Sequence, residues 1–279
     1  MKELFDKSSL DCSKKITKNY STSFSLAIKM LSPKIQNDIY AIYGFVRLAD
    51  EIVDSFDQYN QELLLNEFEE EFQKAYQRKI SLNPVLNAFQ EVVHRFDMMD
   101  LVHPFLKSMR MDLVKKEYLT QQEYEEYIFG SADVVGLMCL LVFVDGDRKR
   151  FDLLKDSAMK LGSAFQKVNF LRDMKHDFEA LGRVYFPHIN LLELNNEDKL
   201  AIVNEIEEDF KDALVGIKML PKGAKFGVYT AYRYYKSLLD KINDTKSEEI
   251  MSKRIRVDDF RKLFIIGQSY VKYQLNYML

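Results

Sequence analysis

The sequence predicts an all-α fold made as one helical unit, and three observations lead there. No stretch alternates apolar and polar residues with the period of two that a half-buried strand needs. The ten Gly and five Pro are scattered, and no Gly/Ser-rich or Pro-rich linker divides the chain. The most apolar segments carry acids at helical spacing. With 279 residues, 47% hydrophobic and 30% charged, the chain can bury a large core.

Tyr20 to Met30, YSTSFSLAIKM, is rich in hydroxyls beside Phe24 and reads as a helix start with Ser and Thr caps. Ser32 followed by Pro33 opens a helix from Pro33 to Ser55. Asp57 to Arg78 has the pattern of a solvated amphipathic helix. Asn83-Pro84 marks a turn, after which Val85 to Met99 and Pro104 to Lys116 read as ordinary amphipathic helices. His94 and His103 lack metal-ligand spacing and read as structural or surface residues. Thr120 and Glu123 form a capping box. It opens a nearly uncharged run, YIFGSADVVGLMCLLVFV, in which Tyr127, Ser131, Val134 and Met138 share a face and Gly130 and Gly136 leave room beside them. Asp133 stands alone there, on an exposed edge or at the polar end of a pocket. Phe151 to Leu181 is a long helix ending near Gly182 as a Gly C-cap would, and GRVYFP follows as a turn able to close over whatever the helix end carries. Asn195 to Lys218 is a polar amphipathic helix, broken by Pro221 and Gly223. A Tyr-rich helix from Lys225 to Ile242 comes next, and KRIRVDDFRKLFII leads into a last helix.

Two of these helices carry the chemistry. In IYAIYGFVRLADEIVDSF, Asp54 lies about 40° round the helix from Asp50, and Arg47 about 60°. Apolar residues cover both sides, so the helix reads as buried all round. Neighbouring carboxylates in such a place repel each other and lose water, which raised pKa values, a cation or a metal would relieve. One Arg cannot neutralise Asp50, Glu51 and Asp54. The second helix repeats the pattern: Gln166, Asn169, Asp173 and Asp177 make one stripe, with Gly162 as a gap in its wall. Four carboxylates and an amide oxygen on two facing helices suit Mg²⁺, which leaves coordination positions for phosphate oxygens and water.

Composition narrows the partners. A net charge of −3 and a pI near 5.9 argue against nucleic acid. Cys12 and Cys139 suggest neither a disulfide scaffold nor a zinc site, and the opening MKELFDKSSLDCSKK lacks the apolar core of a signal peptide, so a cytoplasmic protein is expected. The most apolar run, Val134 to Val144, is shorter than the about 20 residues that span a bilayer and reads as a core helix. The 20 Phe, 16 Tyr and 12 Met, with no Trp, are packing material or the lining of a cavity for a long hydrocarbon. Acids holding Mg²⁺ beside such a cavity suit removal of diphosphate from an allylic lipid, with Arg47 and Arg172 adding fixed positive charge.

STSF, YGFVRLADEIVD, YIFGSADVVGLM and QKVNFLRDMKHDFEALGRVYFP, in this order, resemble the squalene/phytoene synthase family of head-to-head prenyl transferases over nearly the whole chain. The resemblance implies a single all-α domain, 1–279, of class I isoprenoid-synthase type around a central cavity. It implies two or three Mg²⁺ ions, replaceable by Mn²⁺, held by Asp50 and Asp54 from the first motif and by Asp173, Asp177 and Asn169 from the second. The implied catalytic set is these four aspartates with Arg47 and Tyr127. Ser21, Ser23, Tyr43, Arg47, Gln166, Asn169, Arg172 and Tyr235 match positions that contact substrate or diphosphate, and Arg183 and Tyr185 belong to the flap after the second motif. Arg254 matches a C-terminal basic residue and Glu51 a commonly acidic position. Tyr20 stands where relatives often have His, and Asp133 where many have a small neutral residue. The implied reaction joins two prenyl diphosphates through a cyclopropyl diphosphate. Geranylgeranyl diphosphate and a C40 product are expected, with farnesyl diphosphate and a C30 product, or a non-catalytic lipid-binding relative, as alternatives. Weak peripheral membrane contact is expected, at the inner membrane surface, and the oligomeric state is open.

Overall fold

The first helix, α1 (Lys2–Tyr20), is one that hydrophobic periodicity hides, because the residues it buries are Ser9, Ser13 and Thr17. The Ser9 and Thr17 hydroxyls donate to their own helix, to Phe5 O and Ser13 O, each at 2.9 Å. These two hydroxyls are therefore paired, whereas Ser13 Oγ is buried with no hydrogen-bond partner among the described residues. The small stripe brings α1 close to α3, where a Cβ added at Gly44 would stand 2.9 Å from Ser13 Cβ.

In this computed structural model, residues 1–187, 189, 194–250, 252, 254–256 and 258–274 are described. After α1 come α2 (Thr22–Lys29), α3 (Pro33–Ser55), α4 (Gln61–Arg78), α5 (Pro84–Phe96), α6 (Met99–Val114) and α7 (Gln121–Ile128). A π turn (Phe129–Asp133) joins α7 to α8 (Val134–Phe143). The long α9 (Arg148–Glu179), α10 (Asn196–Met219), α11 (Lys222–Asn243), α12 (Ser247–Ile250) and α13 (Asp259–Gln274) complete the order. Among the described residues there is no strand. One isolated bridge pairs Glu117 with Val184, so the all-α expectation holds.

Most ends fall where the sequence puts them. Ser21 caps α2 by accepting from Phe24 N, Thr120 and Glu123 form their capping box, and Gly182 takes φ +65° just past α9. From Asp38 to Asp54 no residue of α3 is exposed, as the all-round burial predicts. The start of α6 differs: it begins at Met99, and Pro104 sits inside it. That proline forgoes one bond, to the carbonyl of Asp100 in the first turn. The expectation that no segment is long and apolar enough for a bilayer is corrected too. The π turn makes Gln121–Phe143 one continuous helical run that meets that test by length and composition. More than half of its apolar window is buried inside the protein, so it is a core helix.

Glycine sets the spacing of the central pair. A Cβ at Gly136 would stand 2.9 Å from Ala158 O, and one at Gly162 2.8 Å from Ala132 O, so α8 and α9 touch backbone to backbone. Gly162→Val should therefore push these helices apart and destabilise the protein by about 1–3 kcal/mol. Unfolding in denaturant would measure the loss, and an unchanged midpoint would show that the helices separate freely.

Candidate active site

Of the helical segments that line one cavity of about 620 Å³, five present stripes at helical spacing that carry polar residues at one end. From α9 come Leu154, Ala158, Leu161, Phe165, Asn169 and Asp173; from α3, Ile39, Tyr43, Arg47 and Asp50. The run α7 to α8 supplies Tyr127, Ser131, Val135, Cys139 and Phe143, α2 supplies Ser21, Phe24 and Ile28, and α11 supplies Val228, Ala231 and Tyr235. Each stripe is polar at one end and apolar along the rest. Leu154 to Asp173 is about 28 Å of helix at 1.5 Å per residue, so the cavity is a deep apolar tunnel with a charged mouth.

At the mouth six carboxylates, Asp50, Glu51, Asp54, Asp112, Asp173 and Asp177, face four guanidinium groups, Arg47, Arg172, Arg183 and Arg254. Arg47 pairs with Asp50 and Glu51 and lies over the Tyr20 ring, 4.5 Å from its centre. Arg172 Nε donates to Asp173 Oδ1 at 3.0 Å, and Arg254 reaches the same carboxylate at 2.6 Å. Arg183 Nη1 donates to Asp54 Oδ1 at 2.6 Å.

This pairing leaves acid to spare. Burial, then the charge of Asp54, pushes Asp50 up to about 8 despite its bond to Arg47. Burial and the charges of Asp173 and Asp54 raise Asp177 to about 7. That Asp54 acts on Asp177 puts the two acidic motifs within electrostatic reach across the mouth.

The donor set fits Mg²⁺. It consists of hard oxygens in excess of local positive charge, and the Asn169 side-chain oxygen is buried with no hydrogen-bond partner. Among the described residues no three of His, Cys, Asp or Glu converge on one point that would hold an ion. The chain therefore offers part of a coordination shell, with the rest left to phosphate oxygens and water.

Most residues singled out from sequence meet here. Tyr20, Ser21, Tyr43, Arg47, Asp50, Tyr127, Gln166, Asn169, Arg172, Asp173, Tyr235 and Arg254 all line the cavity. Tyr43 stacks on Phe24 at 4.9 Å, Tyr235 stacks on Phe165 at 4.0 Å, and burial raises the Tyr43 hydroxyl to about 12. Ser23 is not among the lining residues. Asp54 and Asp177 stand beside the cavity, and Asp177 borders a small recess with Arg183 and Tyr185. Asp133 is neither exposed nor at the pocket: it is buried, accepts from Ser163 Oγ at 2.8 Å, and burial raises it to about 7. His94 is structural, stacked on Tyr76 and 2.7 Å from its carbonyl.

The GRVYFP turn packs under the mouth. Val184 N donates to Lys116 O at 2.8 Å, and Tyr185 stacks on Phe170 (3.8 Å) and on Tyr127 (5.6 Å). Arg183, 3% exposed, is not among the residues lining the tunnel and donates to Val53 O and Asp112 O as well as to Asp54. Sequence reasoning missed Asp112, which is 2% exposed, accepts from Tyr127 Oη at 3.0 Å, and is pushed up to about 7 by burial, against the pull of Arg183. The available signal was its spacing, because Phe105, Met109 and Asp112 lie on one face of α6.

Residues 17–261 match the model of the squalene/phytoene synthase family. The chain is 27% identical to the 15-cis-phytoene synthase of Synechocystis over 94% of its own length and 84% of that protein. It is 26% identical to chloroplastic phytoene synthase 1 of Solanum lycopersicum, covering 91% of this chain and 65% of that one. A dehydrosqualene synthase crystal structure superposes with a TM-score of 0.82 over 96% of this chain and 98% of that one, at 21% identity. With residues 17–261 matched by the family model, and with the paired acidic helices at the mouth of an apolar tunnel, the chain belongs to the squalene/phytoene synthase family.

Proposed function

We propose that the protein joins two molecules of geranylgeranyl diphosphate head to head, giving phytoene and diphosphate. The observation that carries this reading is the tunnel, with acids and arginines at one end and an apolar wall of aliphatic and aromatic side chains along the rest. Membership of the family makes the chain a prenyl transferase acting on prenyl diphosphates. The C20 substrate is supported by the curated relatives, which are phytoene synthases. An extended C20 prenyl chain, with C–C bonds of about 1.5 Å, projects to roughly 20 Å and fits within the length of α9 that lines the cavity, as a C15 chain also does.

Asp50, Asp54, Asn169, Asp173 and Asp177 would hold Mg²⁺, which when bound neutralises the charge that develops on the departing diphosphate. Arg47, Arg172 and Arg254 stand beside these acids and can orient diphosphate oxygens. Once the C1–O bond of one donor breaks, the allylic cation needs shelter from water. The apolar stripes exclude it, and the faces of Phe165, Tyr43 and Tyr127 can each stabilise the cation by about 2 kcal/mol when desolvated. C1 of that cation then bonds to the C2–C3 double bond of the second donor, and loss of a proton closes the cyclopropane. The second diphosphate leaves, the skeleton rearranges, and loss of another proton gives the C40 hydrocarbon with its central conjugated triene. Weak peripheral membrane contact is part of this reading, because substrates and product are lipids.

The test is incubation of the pure protein with Mg²⁺ and either geranylgeranyl or farnesyl diphosphate, followed by identification of the hydrocarbon. A C40 product is expected. A C30 product alone would replace the C20 assignment and keep the reaction type, whereas release of neither hydrocarbon nor diphosphate would remove the enzymatic reading.

A further inference from the structure

We propose that Arg183 is a clamp with two seats and that Asp112 is the second: the guanidinium holds Asp54 in the resting protein and moves to Asp112 when a divalent cation and diphosphate take Asp54. This rests on the reading of Asp54 as a metal ligand. One nitrogen serves both acids, since Arg183 Nη1 lies 2.6 Å from Asp54 Oδ1 and 3.8 Å from Asp112 Oδ1. The facing oxygen of Asp112 is buried without a hydrogen-bond partner, while its other oxygen is held by the Tyr127 hydroxyl at 3.0 Å. The second seat is thus oriented and empty. Nη2 stays anchored on Val53 O (3.3 Å) and Asp112 O (3.2 Å), which gives the guanidinium a pivot. A displacement of about 1 Å would bring Nη1 into hydrogen-bond range of Asp112.

The arrangement solves an energetic problem. Arg183 is 3% exposed, so a cation that drew Asp54 away would otherwise leave a buried, unpaired guanidinium, a strongly unfavourable state. With Asp112 in reach the charge stays paired throughout, and the turn that carries Arg183 need not move. Asp112 is then a positioning residue that acts on Asp54 through Arg183 without touching substrate. If Asp112 were only a core acid holding Tyr127, replacing it would change stability and leave cation affinity alone.

Asp112→Asn tests this, because the amide still accepts from Tyr127 and loses the charge that receives Arg183. Binding of Mn²⁺ in the presence of inorganic diphosphate, measured by calorimetry on the full chain, should be roughly tenfold weaker in the variant, the equivalent of about 1.4 kcal/mol. Wild-type affinity in Asp112→Asn would overturn the proposal alone, whereas failure of the unaltered chain to bind Mn²⁺ would overturn the metal reading with it. Should Asp112→Asn not fold, a crystal structure of the unaltered chain with Mn²⁺ and diphosphate decides. Nη1 within hydrogen-bond distance of Asp112 Oδ1 and clear of Asp54 supports the transfer, and a guanidinium still on Asp54 overturns it.

Discussion

Asp50→Asn is expected to lower turnover by two to three orders of magnitude, roughly, while leaving the helical fold intact or slightly more stable. The activity loss follows from removing a charged oxygen where diphosphate charge must be neutralised, the kind of contact whose loss costs roughly 3–4 kcal/mol of transition-state stabilisation. The stability gain follows from the raised pKa. Asp50 is held near 8 by burial and by Asp54, so its ionised form is disfavoured in the folded chain. A neutral amide of the same shape ends that repulsion, and Arg47 keeps Glu51 as a partner. The sign can be checked against pH. A folded state that retains protons the unfolded chain has released loses stability as pH rises between the two pKa values. The variant should therefore show a shallower fall in melting temperature from pH 6 to pH 8 than the parent does in metal-free buffer. Loss of helical circular dichroism in Asp50→Asn would make this acid structural, and retained turnover would remove it from the catalytic set.

The same physics separates what the sequence exposes from what it conceals. Helix α3 was legible to its last residue, because a proline start and acids set in an apolar run are local signals. The stripe from Gln166 to Asp173 on α9 was legible for the same reason, and it does line the tunnel. Helix α1 was not, since the residues it buries are hydroxyls, two of which bond to their own backbone. The π turn is equally silent in the sequence, because its register serves a backbone contact between Ala132 and Gly162 that only the packed pair defines. Arg183 shows the limit most clearly. Its motif places it after the second acidic helix, yet the carboxylate it holds is 129 positions away and the Asp112 carbonyl 71, and no local pattern reports such pairings.

Arg183→Met should destabilise the protein by about 3–5 kcal/mol, the usual consequence of removing one partner from a buried charge cluster. For a chain of this length that corresponds to roughly 10 °C in melting temperature. Methionine matches the bulk of the side chain, so lost packing contributes little. What remains is two carboxylates, Asp54 and Asp112, without their shared cation, and two backbone carbonyls, of Val53 and Asp112, without a donor. Asp112 has one means of limiting the loss. Burial already holds its carboxyl near 7 against the pull of Arg183, and removal of the guanidinium raises it further, so the folded variant keeps a proton there that the unfolded chain gives up. Proton retention by the folded state makes stability fall as pH rises. The deficit against the parent should therefore be modest at pH 6 and approach its full size at pH 8. Denaturant unfolding of both chains at the two pH values measures it. A deficit under about 1 kcal/mol and independent of pH is the behaviour of a solvent-screened surface pair, and it would mean that Arg183 neither stabilises the mouth nor holds the charge of Asp54.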